Sequence, residues 1–370
     1  MGITPGRTGV AELPLHYGKA PRWLFERMVE LAREISLAIA GEFGPEEMVK
    51  RVSDPFWFQA FGCVLGFDWH SSGLTTTACG ALKEGLKGME GEVGLFVAGG
   101  KGRASRQTPA EIEGFGDLLA ADPASLVYAS RMAAKVDTVA LQDGYDLYHH
   151  CFFSTARGAW AVVQQGMNEA TRYARRYHWL GEQVADFVCE PHTAICSESV
   201  GEALNLVAQE SAGARTTVTQ LVVGERPERL VGELKRLQVL ELPRRHHIML
   251  QDIHPHRLSG ILLRTYERQP GDFEELIGLE GVGAKTVRAL SLISELVYGV
   301  PASFRDPARY SFAHGGKDGH PYPVDRATYD RSIALLSSAL RRAKMGNREK
   351  MEAFKRLGVV QRWVEGGARL

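Results

Sequence analysis

The stretch FEELIGLEGVGAKTVRALSLISELVYG, residues 273–299, holds the residues whose types and order most directly imply chemistry. Gly281 and Gly283 flank Val282, and glycine lets a backbone turn sharply and approach a ligand with no side chain between them. A helix opening at Ala284 would aim its free N–H groups and the positive end of its dipole at that turn, which makes a site for one phosphate oxygen. Lys285 falls where its ammonium can reach the same phosphate. Leu276, Ile277, Leu279, Val282, Val287 and Leu290 are spaced to pack the two helices together. The order predicts a helix-hairpin-helix that holds a DNA backbone. A tight turn between helices, with no ligand, is the other reading of the same residues.

Polar residues in apolar surroundings form a second group. Asp68 and His70 lie in GFDWHSSG, and Asp137, Asp143 and Asp146 precede His149 and His150. Neighbouring strand residues open to opposite faces, so only one of the two histidines can share a site with a given partner. Asp68, His70, Asp143, Asp146 and His150 are the metal ligands this grouping suggests, for Mg²⁺, Mn²⁺ or Zn²⁺, and a pair of such ions can drive phosphodiester cleavage. Structural histidines and helix caps are the plain alternative. Gln164 stands at the middle position of a nuclease-like Asp…Gln-x-Lys arrangement, but Gly166 occupies the lysine position. Lys101, Arg103 and Arg106, after a Gly-Gly pair, suggest a basic loop for a phosphate or a nucleic-acid strand, with a solvated surface loop as the equal alternative. The stretch RRHHIMLQDIHPHR (244–257) offers no helical ligand face and would add charge to a DNA surface.

Beyond the turn come YGVP (298–301) and YPVDRATYD (322–330). This order resembles the helix-hairpin-helix and Gly/Pro-Asp module of base-excision DNA glycosylases. The resemblance implies that Lys285 attacks the sugar C1′ and that Asp325 assists. An additional segment, ASFRDPARYSFAHGGKDGHPY, separates the two, and no iron–sulfur cysteine spacing follows. Attack by Lys285 needs burial or a neighbouring cation to free its lone pair. Asp325 before ATYDR also fits a helix N-cap. The strings TGVAELPLHYGKAPRWL, FGCVLGFDWHSSGLTT and LQDGYDLYHH resemble the uncharacterised conserved prokaryotic family called domain of unknown function 763. That resemblance covers nearly the whole chain and implies no activity.

The elements that must position these residues predict an α+β fold: a mixed α/β N-terminal domain, residues 1–220, followed by an all-helical helix-hairpin-helix domain, residues 221–370. Residues 21–52 read as a helix with proline at its start, GEVGLFVAGG as a strand, and 147–153 with 159–165 as a β-hairpin around STARG. The aromatic stretch from Asp54 to Thr76 fits neither helical nor strand periodicity. Charge divides the same way. Residues 1–220 carry 19 Lys/Arg against 26 Asp/Glu, and residues 221–370 carry 25 against 18. A basic half beside an acidic half is expected where one half lies on phosphates, and equally where solvated charges cluster by chance.

No apolar run approaches the roughly 18 residues that span a bilayer, and the N-terminus lacks a signal-peptide layout. Five scattered cysteines, never in a CxxC pair, argue for reduced thiols in a cytoplasmic protein and against a disulfide framework or zinc ribbon. The expected function is a DNA-processing enzyme of the repair type, acting on a damaged base or abasic site. A metal-dependent nuclease centred in the N-terminal domain and a non-enzymatic DNA-binding or scaffold protein are the alternatives.

Overall fold

The computed structural model describes residues 21–67, 73–171, 173–197, 200–237, 255–308 and 326–366, and four helices come first among them. They are α1 (Arg22–Phe43), α2 (Pro45–Ser53), α3 (Pro55–Leu65) and α4 (Gly73–Leu86). The single helix expected over 21–52 is therefore two. Gly44, at a φ of 89°, breaks it, and Pro45 starts the next, where a missing N–H costs nothing. Residues 55–65 of the aromatic stretch are also helical, as α3. It is buried almost all round, so its apolar residues have no polar face to alternate with, which hides the helical period. Asp54 caps α3 by accepting from the amides of Phe56 and Trp57.

After the short α5 (Glu90–Val93) come β1 (Leu95–Lys101) and α6 (Arg103–Gly114). The basic segment after Gly-Gly is thus mostly helix rather than loop. Gly102, at a φ of 61°, turns the chain into α6, whose largely exposed surface explains its polar sequence. Asp122 caps α7 (Pro123–Lys135), which runs into a π-helical turn at Val136–Ala140. The expected hairpin forms from β3 (Asp146–Thr155) and β4 (Trp160–Met167). With β5 (Ala174–Leu180) and β6 (Ala194–Ser197) they make an antiparallel five-stranded sheet in the order β1-β3-β4-β5-β6.

The helices that follow are α8 (Ala212–Gly224), α9 (Pro227–Leu237), α10 (Pro255–Arg268), α11 (Phe273–Gly278), α12 (Ala284–Leu296), α13 (Arg326–Arg342) and α14 (Asn347–Gly366). This region is helical but not wholly so. β8 (Ser303–Arg305) joins β2 (Leu141–Gln142) and β7 (Glu202–Asn205) in a three-stranded sheet, because the extended chain after α12 pairs with the free edge of β7.

Alternation along the strands builds two cores. Val97, Cys151, Phe153, Ala161, Val163 and Leu180 pack with α1–α4 and with Leu336, Leu340 and Leu357 of α13 and α14. Ala98, Phe152, Val162, Tyr177 and Trp179 pack on the other face with α7 and with residues of α8–α12. Each fully buried leucine or phenylalanine contributes roughly 1.5–3 kcal/mol. Helices cover both faces, so the strands are apolar on both sides. The region after residue 221 supplies side chains to both cores, so the change of charge near residue 220 is not a boundary between cores. Among the described residues, no helix is long and apolar enough to cross a membrane.

Candidate functional site

Asp272 starts α11 by accepting from the amide of Glu275 at 2.8 Å, and Phe273, Leu276 and Ile277 anchor the helix in the core. Val282, Val287 and Leu290 enter the same core, so the turn between α11 and α12 is pinned from below. The two glycines of that turn differ. Gly281 has a φ of +87°, and a Cβ there would lie 2.9 Å from Nη2 of Arg264. Gly283 is extended, at φ −132° and ψ −177°, and a Cβ there would meet nothing within 4 Å. The backbone demands the first glycine and leaves the second unexplained from within. No side chain caps α12. Among the described residues, no acceptor takes the amides of Ala284, Lys285 and Thr286.

Long-range contacts fix the turn in place. Lys135 Nζ donates to the Val282 carbonyl at 2.8 Å, and Gln142 Nε2 donates to the Ala284 carbonyl at 2.9 Å. Arg288 Nε donates to Gln142 Oε1 at 2.7 Å. Burial holds the Lys135 ammonium below the usual lysine range. Lys285 is exposed. Lys135 and Arg264 therefore join Lys285 around the turn, and no local pattern in the sequence marks either of them. The acidic groups of α11 are occupied: Glu274 accepts from Tyr128, and Glu275 from the amide of Gly271.

The other residues singled out by sequence lie apart from this turn or outside the description. Asp68, His70 and Asp325 lie outside the described residues, as do His246, His247, Asp252 and His254. Lys101 ends β1 and sits 5.4 Å from the centroid of the Tyr148 ring, while Arg103 and Arg106 are exposed on the first turn of α6. Asp143, Asp146 and His150 do not form one metal-binding group. Asp143 is buried against Arg175 at 2.8 Å and accepts from Tyr177 at 2.7 Å. Burial raises its pKa, against the pull of Arg175 and these hydrogen bonds. Asp146 is exposed at the start of β3. His150 is held between Ser130 Oγ at 2.9 Å and Gln164 Oε1 at 2.8 Å.

Gln164 passes this network on to Asp137. The buried Asp137 carboxylate accepts from Gln164 Nε2 at 2.6 Å, Trp179 Nε1 at 3.0 Å and His192 Nε2 at 2.5 Å. Three donors on one buried carboxylate satisfy it and join the π-helical turn after α7 to β4, β5 and the loop before β6. Asp137, Gln164 and His150 thus form a structural network in the core, one that the nuclease-like spacing of the sequence does not anticipate. Among the described residues, the one group of three side chains able to converge on a metal ion is Cys79, His149 and Cys151.

The chain belongs to the family described as protein of unknown function (DUF763), whose model matches residues 9–324. No curated protein and no solved structure matches it.

Proposed function

We propose that this member of the DUF763 family binds the sugar–phosphate backbone of DNA through the turn at residues 281–285 and serves in DNA processing of the repair type. Gly283 carries the reading. Nothing in the fold requires a glycine there, and the bare backbone opens onto free space beside three amides without acceptors. A phosphate oxygen would take those amides at the positive end of the α12 dipole. Lys285 would add a charge-assisted contact, and Lys135 and Arg264 would strengthen the positive field. On this reading, α11, the turn and α12 form a helix-hairpin-helix.

Within the proposal Lys285 acts as a cation toward phosphate. It is exposed, whereas an amine that attacks C1′ is commonly desolvated in an apolar pocket. The metal-dependent nuclease reading gains nothing from Asp143 and His150, which are committed to Arg175 and to Gln164 and Ser130.

Fluorescence anisotropy of the full-length chain on duplex, single-stranded, uracil-containing and abasic oligonucleotides, with and without Mn²⁺, tests the proposal. Binding to each duplex, weakened by Gly283→Ala, is the expected result. No binding to any of them would overturn it. A borohydride-trapped adduct on abasic DNA, present in the wild type and absent in Lys285→Arg, would make Lys285 a nucleophile instead.

A further inference from the structure

Consecutive residues of β3 serve opposite faces of the sheet, and His149 is on the face opposite the Asp137 network. It shares that face with Cys151, two residues on, as strand geometry requires. Helix α4 packs against this face and supplies Cys79 from its buried side. One donor atom from each of Cys79, His149 and Cys151 lies within 4.8 Å of the other two, and all three residues are buried. The two thiols, Cys79 and Cys151, face each other across the packing of α4 on the sheet.

His149 is the anomaly in this group. It is 1 % exposed, and neither ring nitrogen has a hydrogen-bond partner. A buried polar atom without a partner is costly, and such atoms call for an explanation. A neutral imidazole with two converging thiols is a soft donor set.

The geometry points to a buried binding site for a thiophilic metal ion, Zn²⁺ or Cu⁺, formed by Cys79, His149 and Cys151. The ion would take the place of the thiol protons and give His149 one partner. Two thiolates would offset the charge of Zn²⁺, so a nearly neutral unit would sit in the apolar core. With Zn–S bonds of about 2.3 Å the sulfurs would stand roughly 3.8 Å apart, which from a separation within 4.8 Å needs a closure of at most about 1 Å. Three ligands complete a trigonal Cu⁺ site, whereas Zn²⁺ would take a fourth donor such as water. Cysteines separated so far along the chain, with no CxxC spacing, give no sign of this in the sequence.

The test uses the full-length chain, purified under reducing conditions and offered Zn²⁺, Co²⁺ as a spectroscopic stand-in for Zn²⁺, or Cu⁺ buffered by a chelator. One chelator-resistant ion per chain is expected. If the ion is Zn²⁺, the Co²⁺ form shows thiolate charge-transfer and tetrahedral d–d bands; if it is Cu⁺, only the Cu⁺ arm gives stoichiometric binding. Cys79→Ser and Cys151→Ser should each lower affinity by more than the roughly 10–100-fold that changes around a metal's ligands cost. Cys189→Ser, outside the group, should leave it unchanged. A folded, fully reduced wild type that binds neither ion at stoichiometry would overturn the assignment, and so would a folded Cys151→Ser with wild-type affinity. If the serine variants fail to fold, wild-type stoichiometry and the Co²⁺ spectrum still decide the matter. None of these readouts depends on DNA binding.

Discussion

Lys135, the last residue of α7, donates a 2.8 Å hydrogen bond to the carbonyl of Val282 across 147 residues of sequence. This bond joins the turn between α11 and α12 to the first half of the chain. Lys135→Met keeps most of the aliphatic stem and orphans the carbonyl, so it should cost about 1–3 kcal/mol of stability. Urea denaturation measures this. A variant as stable as wild type would mean the bond does not hold the turn.

The two glycines of the turn should separate under substitution. Gly281→Ala should destabilise the fold by about 1 kcal/mol or more, because its φ of +87° strains any side chain and Arg264 must move. Gly283→Ala should change stability by less than about 0.5 kcal/mol, as at an open surface position. It should still weaken DNA binding roughly tenfold, the scale of one lost contact to a charged group. Equal affinities for Gly283→Ala and wild type would leave the turn as a purely structural device.

Arg175 pairs with Asp143 at 2.8 Å and with Asp306 at 2.7 Å, and all three side chains are nearly inaccessible. Arg175→Met would leave two buried carboxylates uncompensated and should cost about 3–5 kcal/mol. Thermal unfolding is the readout. A small loss, under about 1 kcal/mol, would show that water reaches these groups.

His178 is buried, donates from Nδ1 to the Val52 carbonyl at 3.0 Å, and has no partner at Nε2. Burial first, then Arg176, holds its pKa well below the ordinary histidine value. The unfolded chain therefore takes up a proton near pH 6.5 that the native protein refuses. The stability that neutral His178 contributes is present above pH 6.5. It falls by about 1.4 kcal/mol per pH unit as pH drops from there toward the folded value. His178→Phe should be less stable at pH 7.5, having lost the bond to Val52, and should show a shallower decline on acidification. Urea midpoints at pH 7.5, 6.5 and 5.5 check both. Identical slopes in the two proteins would contradict the assignment.

Local signals in the sequence were strong enough to place some elements. The β3–β4 hairpin follows from aromatic and β-branched residues around a Gly turn, and the short helix, GVG turn and longer helix follow from glycine and apolar spacing. What escaped the sequence depends on distant contacts or on burial without a polar face. Lys135 meets Val282 only through the tertiary fold, and PFWFQAFGCVL hides its helix because both sides are covered. Asp137, Gln164 and His150 sit among polar partners drawn from α7, β4 and the loop before β6, so spacing along the chain could not tell a structural network from a metal site. Cys79 and Cys151 come together only because α4 lies over β3's neighbours in the sheet.

The dependence of duplex-DNA affinity on salt, measured with the full-length wild type, Lys285→Ala and Lys285→Arg, decides whether the turn at residues 281–285 holds a DNA backbone. Wild-type log Kd should rise linearly with log salt, with a slope of about 0.9 for each phosphate neutralised. Lys285→Ala should bind about 5–30-fold more weakly, the equivalent of 1–2 kcal/mol for one charge-assisted contact, with a slope lower by about one unit. Lys285→Arg should match wild type. Affinity that does not change between low and high salt, or a Lys285→Ala variant with wild-type slope and affinity, would contradict the account.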